Sequence, residues 1–195
     1  MRSLVLAVSL VAITDCVALE RIAGEKEGVF HQAERSQNGM VVLTANNGFF
    51  DKGKVRAIGK GLMKEAEKGL ISSSFQALEF ISGKDAATAR WYLFAEAKTD
   101  ATITIEFAQG KGEGSWIIGV GKNQSQFEVG KEDTLKTFPI FFEKGKQKIS
   151  LIRYGNGMGV VKSVRLKGAE MEKLSLLRAR WRPASWAPFT RATFT

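Results

Sequence analysis

Between Thr102 and Phe107 the chain alternates without a break: Ile103, Ile105 and Phe107 share one face, and Thr102, Thr104 and Glu106 share the other. Successive side chains of an extended strand point to opposite faces, so this pattern specifies a strand with one face buried. Two more apolar segments flank it, Ala89 to Ala97 and Trp116 to Val120, and both are apolar on both faces, as in strands covered on each side. A polar turn at Lys98, Thr99 and Asp100 and a glycine-rich loop from Gly110 to Gly114 separate the three. Strands joined this closely are expected to form an antiparallel meander. A sheet of that kind has to bury its apolar face against a second layer.

The same reading extends along the chain. Strands are expected at Val29 to Glu34, Gly39 to Thr44, Phe75 to Ile81, Gln126 to Val129, Phe138 to Phe142, Lys148 to Tyr154 and Val160 to Lys167. Pro139 cannot donate a ladder hydrogen bond, which places its strand at an edge or at a strand start. Glu143 to Lys146 reads as a hairpin turn, and Gly155 to Gly159 as a loop. Leu62 to Lys68, closed by Gly69, is compatible with two turns of helix. Short strands at this spacing with almost no helix predict an all-β sandwich of about eight to nine antiparallel strands. Twenty glycines and thirteen phenylalanines against three prolines suit tight turns and an aromatic core.

The ends differ from the middle. Met1 to Ser3 is a short basic region, Leu4 to Ile13 an apolar run, and Ala18 a small residue suited to cleavage, so residues 1–18 are read as a signal peptide. Ten apolar residues are too few to cross a bilayer, so no membrane span is expected. Asp15 before Cys16 does not suit a lipoprotein cleavage site. The chain is therefore expected to be secreted or periplasmic, with a flexible linker over 19–28. Cys16 is the only cysteine and lies in the leader, so the remainder has no thiol with which to build a disulfide or a cysteine metal site. At 195 residues the chain is long enough for one domain with a sizeable core.

Net charge is +9, of which Arg178, Arg180, Arg182 and Arg191 supply four within a tail that holds no acid. The tail alternates Leu177, Ala179 and Trp181 with arginines. It is expected to lie outside a sandwich that closes by Lys167, as a linker or the start of a second domain over 169–195. Residues 174–195 are then a surface for a partner domain or chain. Basic residues with interleaved aromatics also suit nucleic acid, but in an exported protein no nucleic-acid partner is expected.

Little in the sequence can carry catalysis. His31 is the only histidine, no serine sits in a nucleophile-elbow context, and the glycine-rich loop lacks the lysine and hydroxyl ending of a phosphate loop. Glu79, Glu96 and Glu106 alternate with lysines as on a solvated face. The chain is not expected to be an enzyme. Aromatic residues beside loops are more informative, because sugars present flat C–H faces to aromatic rings and hydroxyls to amides. Trp116 follows the glycine loop, Tyr154 precedes the next one, Asn156 lies within it, and Asn123 follows Trp116. These four form the candidate carbohydrate-binding set. The competing reading places Trp116 and Trp91 in the core, which would leave a structural or protein-interaction domain.

Residues 29–168 resemble the galactose-binding-like jelly-roll modules, the fold of many bacterial carbohydrate-binding modules. The likeness rests on the opening stretch Val29 to Glu34, on Ala89 to Phe94, on the paired segments from Thr137 to Leu151, and on the closing stretch Gly157 to Leu166. It implies the first module of a larger secreted bacterial protein, binding a polysaccharide or glycan or positioning a partner domain on it. The resemblance also makes Glu34 a candidate ligand for a structural calcium, and no other cofactor is expected. Lys162 and Arg165 stand where the family usually places an acid, which argues against calcium.

Overall fold

The structure is a computed structural model that describes residues 17–21, 30–32, 39–43, 47–59, 77–177 and 181–183. Fifteen strands follow one another in these segments. They are β1 (Val17–Arg21), β2 (Phe30–Gln32), β3 (Val41–Val42), β4 (Gly48–Phe50), β5 (Val55–Gly59), β6 (Ala77–Ser82), β7 (Ala87–Ala95) and β8 (Thr99–Phe107). Then come β9 (Gly114–Val120), β10 (Asn123–Val129), β11 (Leu135–Phe142), β12 (Gly145–Tyr154), β13 (Gly157–Gly168), β14 (Leu174–Leu177) and β15 (Trp181–Pro183). A 3-10 turn at Met171–Lys173 precedes β14.

All pairings are antiparallel, and they make two sheets. One has the order β11-β8-β13-β6-β5-β1-β15, with β3 also on β13. The other runs β10-β9-β12-β7-β14-β2, with β4 also on β7. The fold is thus the expected all-β sandwich, and the strand count exceeds the expectation because short strands fill gaps along the long ones. The inner edge of β7, for example, pairs with β4 at Ala89 to Trp91 and then with β14 at Leu93 to Ala95.

The path of the chain departs from a meander. Successive strands switch sheets at nearly every step, the exceptions in this set being β5 to β6 and β9 to β10. The three central segments are consecutive, yet β7 and β9 lie in one sheet and β8 in the other. Lys98 and the glycine-rich loop are therefore corners that carry the chain across the core. The same correction applies to Glu143 to Lys146, which takes β11 in one sheet to β12 in the other. A crossing at each corner winds the two sheets together in the manner of a jelly roll.

Alternation sets the core. Ile103, Ile105 and Phe107 of β8 and Trp91 and Leu93 of β7 are fully buried between the sheets. The flanking strands are not covered on both faces, since Arg90 and Tyr92 are half-buried and Phe94 is exposed. Glu79 is buried rather than solvated, and pairs with Arg56 on the neighbouring strand β5. The expected helix over Leu62 to Lys68 lies outside the described residues.

Both domain boundaries move. β14 adds to the second sheet, with Leu174, Leu176 and Leu177 all buried, so the sandwich does not close by Lys167. β15 pairs with β1, matching Arg21 to Trp181 and Leu19 to Pro183. Residues 174–177 and 181–183 are thus part of the sheets rather than a projecting tail or the start of a second domain. The physical reason is that β7 needs a partner along its inner edge, and the alternating leucines supply an apolar face there. At the other end, Leu19–Arg21 form part of β1, so the linker expected over 19–28 begins with paired strand. β1 also spans the expected cleavage point after Ala18, while Leu4 to Ile13 lie outside the described residues.

Candidate functional site

Two sheet-crossing corners meet at one end of the sandwich and define a groove. The first is the β8 to β9 loop, lined by Gly110, Lys111, Glu113 and Gly114; the second is the β12 to β13 loop, from Tyr154 to Met158. Between them lie Ser115 and Arg153, and the cavity volume is about 440 Å³. That falls within the roughly 300–1,000 Å³ usual for small-molecule sites.

Backbone contacts fix both loops. Lys111 N–H donates to the Ala108 carbonyl at 2.9 Å, and Val160 N–H donates to the Lys111 carbonyl at 2.7 Å. The first loop is thereby tied to β13. Gly110 holds a φ of 66°, a left-handed conformation that glycine adopts without a Cβ penalty.

Beneath the groove lies a cation–π pair. Trp116 on β9 and Arg153 on β12 are cross-strand neighbours, with the guanidinium 5.8 Å from the indole centroid. Trp116 is fully buried, edge-on to Phe80 at 5.0 Å and to Phe107 at 5.2 Å, and its Nε1 donates to the Gly112 carbonyl at 2.8 Å. Arg153 is 4% exposed. One of its terminal nitrogens donates to the Glu113 carbonyl at 3.0 Å, and the other to Ser82 Oγ at 2.5 Å and to the Gly155 carbonyl at 3.3 Å. Ser82 Oγ in turn donates to the Gly155 carbonyl at 2.5 Å. A single guanidinium therefore clamps both loops and the end of β6, using the five-donor fork that lysine lacks.

The clamp requires a bare backbone beside it. A Cβ on Gly159 would lie 2.6 Å from Trp116 Cζ2 and 2.7 Å from Arg153 Nε. Arg153 Nε is buried without a hydrogen-bond partner, and no carboxylate pairs with this guanidinium among the described residues. Burial pushes the pKa of Arg153 down from its ordinary value, but the group remains a cation at neutral pH because arginine starts so high.

The rim is polar and open. Tyr154 is 43% exposed and Met158 51% exposed, while Lys111, Glu113 and Asn156 also face solvent. Of the four residues selected from sequence, Tyr154 and Asn156 thus come together in this groove. Trp116 lies in the core beneath it and offers no face to solvent, so it leaves the contact set. Asn123 is elsewhere. It lines a separate cleft of about 310 Å³ between the sheet edges, with Ser125, Ile118, Phe138 and Ile140.

Arg153 was missed in the sequence, although a signal existed. Ile149, Leu151 and Arg153 share a phase on β12, so an inward cation continues an apolar face. The sequence does mark the exposed aromatic, as Tyr154 stands one step out of that phase.

Among the described residues no group of three histidines, cysteines, aspartates or glutamates comes together to hold a metal ion. Lys162 and Arg165 are ion-paired to Glu106 and offer no oxygen donors. Glu34, the candidate calcium ligand, lies outside the described residues. His31 lies on β2, opposite Leu176 of β14. No helix is long and apolar enough to cross a membrane among the described residues.

No protein-family model matches the chain, and no curated protein matches it. The solved structures similar to it include carbohydrate-binding modules. A family 35 carbohydrate-binding module from an environmental isolate is 14% identical over 83% of this chain and 96% of its own, with a TM-score of 0.40. A CBM35 from Cellvibrio japonicus is 12% identical over 88% of this chain and 99% of its own, with a TM-score of 0.39. A ruminal GH26 endo-β-1,4-mannanase is 22% identical over 46% of this chain, with a TM-score of 0.34, and the match spans 20% of the mannanase.

Proposed function

We propose that this chain is a non-catalytic, exported carbohydrate-binding module whose site is the groove between the two corners. The observation that carries the reading is the placement of Tyr154 and Asn156 on the open rim of a groove whose base is fixed by the Trp116–Arg153 pair. A sugar ring needs a flat apolar contact beside several polar groups. The Tyr154 ring supplies the first; Asn156, Ser115, Glu113 and Lys111 supply the second. The buried clamp sets these groups before a ligand arrives, which lowers the ordering cost of binding. Glu113 is the one carboxylate in the lining, and Glu128 accepts the hydroxyl of the lining residue Ser115 at 2.5 Å, so the groove presents polar groups suited to sugar hydroxyls.

The test is a glycan-array screen of the full chain, followed by calorimetric titration of the best glycan against Tyr154→Ala and Asn156→Ala. Loss of one aromatic contact at about 1–1.5 kcal/mol should weaken binding roughly tenfold at Tyr154. Both residues are exposed, so the melting temperature should not change. A chain that binds no glycan, or one whose affinity is untouched by both substitutions, would defeat the proposal.

A further inference from the structure

We propose that the cleft between the edges of the two sheets is a second binding site, built for the ring of a neutral sugar and separate from the groove at the glycine-rich loop. β10 and β11 end their sheets on the side where the cleft lies. Along β10, Asn123, Ser125 and Phe127 stand opposite Val120, Ile118 and Trp116 of β9, all buried, so these three share the inner face. Phe138 and Ile140 of β11 stand opposite Ile103 and Ala101 of β8 and share the inner face of the other sheet. At Phe127 the edges close, since its ring centroid lies 4.8 Å from that of Phe138. Ser125 and Asn123 fall in the same phase as Phe127 but are too short to continue that contact, and a cavity of about 310 Å³ opens beside them. A large apolar side chain at either position would extend the closure that Phe127 begins. The polar pair instead leaves Ile118, Val120 and Ile140 facing a cavity, which forfeits packing contacts.

The lining selects the ligand. Ile118, Val120, Phe138 and Ile140 make an apolar floor, while Asn123, Ser125 and Asp100 are exposed polar groups around it. None of these three side chains has a hydrogen-bond or ion-pair partner among the described residues. An amide offers two donors and an acceptor, a serine hydroxyl one donor and two lone pairs, and a carboxylate acceptors only. That mixture suits hydroxyl groups, which both donate and accept. No cation lines the cleft among the described residues, and Lys98, which sits over the Phe141 ring at the lip, is already paired with Glu143 at 3.3 Å. A ligand carrying a carboxylate or phosphate would therefore meet the Asp100 carboxylate with nothing to offset it. A pyranose ring meets both demands: its C–H face covers the apolar floor, and its edge hydroxyls reach the polar groups. Small-molecule sites commonly combine apolar walls with a few convergent polar groups in this way. The cleft and the groove share no lining residue, and they lie towards opposite ends of β9, at Ile118 and Val120 against Gly114 and Ser115.

The experiment is an amide NMR titration of the full chain with glucose, galactose, mannose and xylose, and with short oligomers of each. The expected result is a saturable shift of the Asn123 side-chain amide and of the Ser125 and Ile140 backbone amides with at least one of these sugars. The dissociation constant should be on the order of 1 mM, as for a small ligand with few contacts. Tyr154→Ala, at the groove, should leave these shifts in place, so failure of one site is read separately from failure of the other. Asn123→Ala removes one polar partner from an exposed position and should weaken binding at the cleft roughly three- to tenfold. Ser125→Leu fills the cavity, and should abolish the Asn123 and Ile140 shifts while the melting temperature holds or rises. Glucuronate, with its carboxylate facing Asp100, should leave the cleft resonances unmoved. Cleft resonances that no neutral sugar moves, that glucuronate moves as strongly as any neutral sugar, or that respond unchanged in both cleft variants would each overturn the proposal.

Discussion

Replacing Leu176 by alanine is the sharpest probe of where this domain ends. Leu176 is 2% exposed and lies opposite Leu93 of β7, itself fully buried. Truncating a buried leucine removes its transfer free energy and leaves a cavity, together about 2–5 kcal/mol. In a domain of this size each kcal/mol shifts the melting temperature by roughly 2–4 °C, so a loss on the order of 10 °C is expected. Thermal denaturation followed by circular dichroism reads it directly. Leu135→Ala is the control, since Leu135 is 57% exposed and its loss should fall within about 0.5 kcal/mol. Cutting the chain after Gly168 is harsher. It removes Leu174, Leu176 and Leu177, three buried side chains at about 1.5–3 kcal/mol each, against a total stability of roughly 5–15 kcal/mol. That fragment should be largely unfolded at room temperature. If it melts within a degree of the full chain, β14 is not part of the core and the reasoning fails.

Two further outcomes are expected. Trp116→Ala should cost about 3–5 kcal/mol in a denaturant titration, because the indole is fully buried against Phe80 and Phe107; a variant with unchanged stability would show that the ring is not in the core. Asp133 accepts the Gly130 N–H at 2.8 Å and an ion pair from Lys136 at 2.9 Å, which together hold its carboxyl below the ordinary carboxylate range. Its contribution is then present above the unfolded-state pKa and fades as pH falls through the lower folded value. A carboxyl NMR titration should place Asp133 below a model aspartate, and a midpoint at or above that reference would contradict the turn geometry.

Much of the fold was legible because strand character is local. The alternation of Ile103, Ile105 and Phe107 needs only the two-residue period of an extended backbone, and those three residues are buried as that period requires. The same rule applied to Trp116, Ile118 and Val120 puts Trp116 on the inner face, so its burial was present in the sequence, as the competing core reading had it. Tyr154 and Asn156 were legible as loop-flanking residues, and the groove does bring them together.

What the sequence did not determine was which strand meets which. A short polar turn such as Lys98 serves a hairpin within one sheet or a corner between two, and the difference lies in the partner strands rather than in the turn residues. β8 finds β11 and β13, and β7 finds β12, β4 and β14, so the consecutive strands part company. Leu174 to Leu177 likewise looked like a spare strand until the open edge of β7 gave it a partner. Arg153 depends most on tertiary structure. The acceptors that hold it, Glu113, Gly155 and Ser82, belong to three separate segments, and only the closure of the two sheets brings them within reach of a single guanidinium.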